Sequence, residues 1–163
     1  MKFSSLTSED PEYPDVTNIQ LELWRLAVVK YEEIKDHSEE VVLKKSDFIV
    51  LASVTLILAG SSLTQLVGQN AIFAGSRVPS PADELEKQLR KTSPDLCDRI
   101  KEFIFFYDDI RHFGKPKHTK VEALNEKLLA QFMKDIQEVW IFYLNKANLP
   151  ITEDFKHSFK QSE

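Results

Sequence analysis

The chain has 163 residues, of which 42% are hydrophobic and 29% charged, with four glycines and a formal net charge of −5. That length supports one domain with its own core, and the composition excludes disordered, collagen-like and low-complexity classes. An acidic total provides no global positive field for holding nucleic acid, so any contact with phosphates must be local. Cys97 is the single cysteine. It can form neither an internal disulfide nor a multi-cysteine zinc site, which points to a reducing compartment. The leader "MKFSSLTSEDPEYPD" lacks the apolar run of a signal peptide, and a cytoplasmic location is expected.

In chain order, residues 1–16 are expected to be a flexible leader. Helical spacing then begins: Ile19, Leu23, Leu26, Ala27 and Ile34 recur by threes, fours and sevens, with Thr17 or Asn18 placed as N-cap. Ser38 to Lys45 is a charged connector in which "EEVV" can prolong that helix. Ser46 and Asp47 are placed to cap a second helix reaching Gly68 or beyond. No charged residue occurs between Phe48 and Ser76, a length that would span a membrane. The strongly apolar part stops near Ala59, however, and neither an aromatic belt nor a basic flank asymmetry marks an orientation. A core helix buried on most sides is therefore expected, with no membrane contact.

Pro81 opens a short charged helix, "PADELEKQLRKT". "SPDLCDRIKEFIFFYDDIRHF" follows, with Leu96, Ile100, Phe103, Ile104, Tyr107 and Ile110 on one face and Gly114 and Pro116 as its stop. A last helix starts at Val121 and spaces Leu124, Leu128, Phe132, Ile136, Val139 and Tyr143 by threes and fours. Residues 149–163 read as a flexible tail. The fold class predicted is all-α, an antiparallel bundle of four main helices and one short extra helix over residues 17–148. The short connector makes the last two long helices antiparallel neighbours. Aromatic residues on more than one helix face call for a second buried surface, supplied by a homodimer or by a partner protein.

Phosphate loops of the Walker and dinucleotide types are excluded by the glycine count and spacing. Neither a cysteine pair nor a Glu-x-x-His motif is present, so neither metal nor cofactor is expected. Cys97 and Ser93, at a helix start, read as structural. What remains is the elbow "YDDIRHFGKPKHTK". Arg111 lies one turn after Tyr107, and Asp108, three residues before Arg111, is spaced to orient its guanidinium. Lys115, Lys117 and Lys120 supply local positive charge for a phosphate backbone. Tyr107 is a candidate for orienting a catalytic group or for stacking on a base.

Arg111, the polar His112 and, after six intervening residues, His118 form a pattern that resembles the motif of the HEPN superfamily, over residues 100 to 145. The resemblance implies a HEPN-like helical bundle with metal-independent endoribonuclease activity, of the kind found in toxin–antitoxin and anti-phage systems, and a composite active site in a homodimer. Arg111 then matches the motif arginine, His118 the motif histidine and His112 the polar neighbour. RNA is the implied substrate and an antitoxin the implied partner. The chemistry fits the residue types: a 2′-hydroxyl attacks the adjacent phosphorus, a histidine moves the proton and an arginine stabilises charge on the phosphoryl oxygens. The alternative is a noncatalytic interaction module, a degenerate HEPN-like domain that binds a partner protein. Basic residues after a helix C-terminus also complement its dipole without any enzyme.

Overall fold

Residues 16–40, 44–73, 75, 80–112 and 123–147 are described by the structure, a computed structural model. They form five helices and no strand: α1 (Val16–Glu40), α2 (Lys45–Phe73), α3 (Pro81–Leu89), α4 (Pro94–Arg111) and α5 (Glu126–Lys146). This is the predicted all-α bundle, four long helices and one short one.

At the centre lies α2, which packs against all four other helices. Ala52, Leu56, Ala59, Leu63 and Val67 are completely buried along it. Three of its polar side chains, Thr55, Ser62 and Asn70, are tolerated because they find partners close by. Thr55 Oγ1 donates to the carbonyl of Leu51 at 2.9 Å, and Asn70 Nδ2 to that of Leu66 at 2.9 Å. Buried Ser62 accepts from Trp140 Nε1 of α5 at 3.1 Å. Each such bond avoids the larger cost of an unsatisfied buried group. Beyond the end of α2, Gly75 adopts φ +71°, the left-handed conformation that glycine enters without strain.

On α1 the buried face differs from the predicted one. Ile19 and Leu26 are 47% and 50% exposed, while Gln20, Trp24, Val28 and Tyr31 face the core with Ala27 and Ile34. Trp24 and Tyr31 account for the rotation, because aromatic rings carry more apolar surface to bury than aliphatic chains do. The helix also begins at Val16, so Thr17 and Asn18 lie within it instead of capping it. Lys45 likewise opens α2 ahead of Ser46 and Asp47.

Ser80 caps α3: its hydroxyl accepts from the Asp83 N–H at 3.1 Å and donates to the Asp83 carboxylate at 2.7 Å. The predicted apolar face of α4, from Leu96 to Ile110, is buried throughout. Arg99 Nε meets Asp135 Oδ1 at 2.9 Å, whereas Phe103 and Phe106, further along α4, meet the earlier Phe132 at 5.2 and 5.3 Å between ring centroids. Helices α4 and α5 are thus antiparallel. α5 starts at Glu126, five residues after the predicted start, because Asn125 caps it through a 2.9 Å bond from the Leu128 N–H.

Small residues set the distance between α2 and α4. A Cβ placed on Gly60 would lie 2.4–2.7 Å from three carbons of the Tyr107 ring, whereas one on Gly68 would meet nothing within 4 Å among the described residues. Alanine in a helix gains about 1 kcal/mol over glycine, and overpacking a core costs about 1–3 kcal/mol. The two glycines should therefore respond with opposite sign. Urea denaturation is expected to show a net loss of stability for Gly60→Ala and a gain of up to about 1 kcal/mol for Gly68→Ala. Equal gains would contradict the close α2–α4 contact.

Candidate functional site

The candidate site occupies the last turn of α4. Arg111 ends that helix with its side chain 49% exposed, and its Nη2 donates to Asp108 Oδ1 at 3.0 Å. The guanidinium carbon also lies 5.0 Å from the centroid of the Tyr107 ring, within cation–π range. Both contacts follow from i,i+3 and i,i+4 spacing on one helical face. An exposed ion pair of this type contributes only about 0–1 kcal/mol to stability. Its consequence here is directional: two contacts restrict where the guanidinium points.

Tyr107 connects this exposed group to the interior. The residue is 3% exposed, its ring stacks with Phe103 at 6.1 Å between centroids, and its hydroxyl lies 3.0 Å from Ser61 Oγ on α2. Gly60 is what allows the ring so close to the α2 backbone. A ring buried to this degree has no open face for a base. Stacking on a nucleobase, one of two roles considered for Tyr107, is therefore incompatible with its packing, and the geometry leaves it as a support beneath Arg111. His112 is the C-cap of α4; it is exposed, and its backbone N–H donates to the Asp108 carbonyl at 3.0 Å.

Tyr107, Asp108, Arg111 and His112 are thus brought together on a single turn. Lys115, Lys117, His118 and Lys120 lie outside the described residues, as do Gly114 and Pro116. Gly60 and Ser61 were not singled out by the motif pattern, although they fix Tyr107. Their signal in the sequence is the run "AGSS" at 59–62, small residues in an apolar helix, where another helix can approach closely.

No protein-family model, curated protein or solved structure matches this chain. The site is therefore read from its own geometry.

A second charged cluster joins α3 to α4. Glu86 accepts from Arg90 at 2.7 and 2.8 Å and from Lys101 Nζ at 3.0 Å, and Arg90 also reaches Asp98 at 2.6 Å. Hydrogen bonds from Arg90, then from Lys101, hold the Glu86 carboxyl at about 2, well below its ordinary 4.5. Next to it, burial first and then Glu86 push the Cys97 thiol up, which disfavours the thiolate a nucleophile needs. Every cation of the cluster already has a carboxylate partner. We read it as a staple between two helices, not as a site.

The staple fixes a pH dependence. Because the folded-state value of Glu86 is depressed, its contribution to stability is present above about 4.5 and is lost as the pH falls through about 2. A carboxyl-resolved NMR titration should find Glu86 still ionised when exposed glutamates are half protonated. Replacement by Gln should flatten the fall in stability between those two pH values. A Glu86 midpoint near 4.5 would contradict the staple.

Proposed function

We propose that the chain is a HEPN-like, metal-independent endoribonuclease of the toxin or anti-phage kind, working as a homodimer with a composite site. The observation that carries this reading is the Arg111 guanidinium, held half-exposed by Asp108 and the buried Tyr107 immediately before the segment bearing Lys115, Lys117, His118 and Lys120. A planar guanidinium with restricted orientation suits bidentate contact with a phosphodiester. The lysines attract the backbone locally although the total charge is acidic.

In the proposed reaction the ribose 2′-oxygen attacks the adjacent phosphorus while His118 takes the 2′-hydroxyl proton. The P–O5′ bond breaks, and a protonated imidazole, that of His112 or of the second subunit, delivers a proton to the leaving oxygen. The products are a 2′,3′-cyclic phosphate and a 5′-hydroxyl. Arg111 stabilises negative charge on the phosphoryl oxygens as it builds up, which is where a fixed cation contributes most to rate.

A second reading is favoured by a different observation. Ile19, Leu26 and Val29 of α1 are 47–52% exposed, an apolar surface suited to a protein partner such as an antitoxin. On that reading the domain is a noncatalytic interaction module.

The test is cleavage of a mixed RNA pool in EDTA by the full chain, beside an Arg111→Ala/His118→Ala variant whose folding is verified by circular dichroism. The ribonuclease reading predicts cutting by the wild type and a loss of about 10²-fold to 10⁴-fold in the variant. Equal cutting by both would remove Arg111 and His118 from the chemistry. No cutting by either would favour the interaction module.

A further inference from the structure

One face of α2 is left uncovered by the described residues, and its pattern is specific. Val50, Val54 and Ile57 are 61%, 43% and 36% exposed, and Ser61, Thr64 and Gly68, continuing the same line, are half-buried. The steps between these six residues alternate four and three, the spacing of a two-helix seam. Branched aliphatic residues occupy the first half, and serine, threonine and glycine the second.

We infer that this seam pairs with the same seam of a second copy, antiparallel, about a two-fold axis between Ile57 and Ser61. In that register Val50 faces the partner's Gly68, Val54 faces the partner's Thr64 and Ile57 faces the partner's Ser61. A bulky side chain meets glycine or serine in two of these pairs and Val54 meets the similarly sized Thr64 in the third, all in one register, which is the self-complementarity that a two-fold interface requires. The position of Gly68 is open, since a Cβ there meets nothing within 4 Å among the described residues. The room is where the partner's Val50 needs it.

Electrostatics favour the same occupant. No charge lies between Phe48 and Ser76, so the seam itself brings no ion into the pairing. The seam hydroxyls already have partners, Ser61 with Tyr107 and Thr64 with the Ser61 carbonyl at 3.2 Å, so pairing strands no polar atom. From Val50 to Gly68 the seam is about 27 Å long. One helix face of that length is smaller than the roughly 800 Å² per partner of a standard stable interface, so association should depend on concentration.

The register has a consequence for the site. Ser61, beside the axis, is the residue that touches Tyr107, and Tyr107 supports Arg111. A two-fold axis perpendicular to both α2 helices keeps both copies of α4 on one side of the pair. The two Arg111 turns then flank the axis and face a shared cleft. The pairing itself follows from α2, and only this functional consequence rests on the ribonuclease reading.

The experiment is disulfide trapping with the full chain at high protein concentration, in the absence of detergent. Val54→Cys protein mixed with Thr64→Cys protein should give a covalent dimer on mild oxidation, because the two thiols face each other. Val54→Cys alone should not, since the two copies of that position are about 15 Å apart along the axis. Val54→Glu should remain folded and sediment as a monomer at concentrations where the wild type dimerises. A wild type that is monomeric throughout, trapping of Val54→Cys alone as efficient as the mixture, or recovery only in detergent with the seam covered by lipid would each overturn the inference. An Arg111→Ala/His118→Ala protein that dimerises normally but cuts no better or worse than an inactive wild type would overturn the ribonuclease reading and leave the seam standing.

Discussion

Burial of a 29-residue helix that carries no charge from Phe48 onward is the constraint on which the rest of this bundle depends. Apolar surface left in water costs about 25 cal/mol per Å², so α2 must be wrapped on most of its circumference. The other four helices do that, and each has its own fixing device. α1 turns Trp24 and Tyr31 inward, α3 is stapled to α4 through Glu86, and α4 and α5 interlock through Phe103, Phe106 and Phe132. In length and composition α2 also meets the requirement for crossing a membrane, but half of its apolar window is buried inside the bundle.

The same helix connects the core to the Arg111 turn at the surface. Gly60 removes the side chain that would hold α4 away, Ser61 offers a hydroxyl where Tyr107 arrives, and Tyr107 presents its ring to Arg111. An arginine on a surface helix ordinarily samples many rotamers, and fixing it costs conformational entropy. Here a packed core, through Tyr107, adds to the ordering by the guanidinium's own weak ion pair. That support lets the end of α4 be both exposed and directed.

Much of this architecture was legible in the sequence, for physical reasons that differ between elements. The charge-free stretch of α2 was read as a helix and the repeating apolar face of α4 as a core face, and both are found so. The face of α1 was misplaced by about one residue because Ile19 and Leu26 fit helical spacing as well as Trp24 and Tyr31 do; only the competition for burial separates them. The start of α5 was set too early because periodicity continues through Val121 and Leu124, while the cap at Asn125 is a local hydrogen bond that periodicity does not register. At the elbow, Asp108 and Arg111 were legible from i,i+3 spacing. So was the burial of Tyr107, as part of the apolar face of α4; its dependence on Gly60 and Ser61 was not, since the hydroxyl contact with Ser61 joins residues 46 positions apart.

The most direct test of the link between this geometry and phosphodiester chemistry is an NMR titration. The full chain, in EDTA, would receive an oligoribonucleotide whose ribose 2′-hydroxyls are replaced by hydrogen, so that it binds without being cut. Arg111 as the phosphate-facing group predicts a saturable shift of its side-chain Nε–H resonance together with those of the His118 ring. Unchanged Arg111 and His118 resonances in a folded protein, at oligonucleotide concentrations that shift other residues, would contradict it.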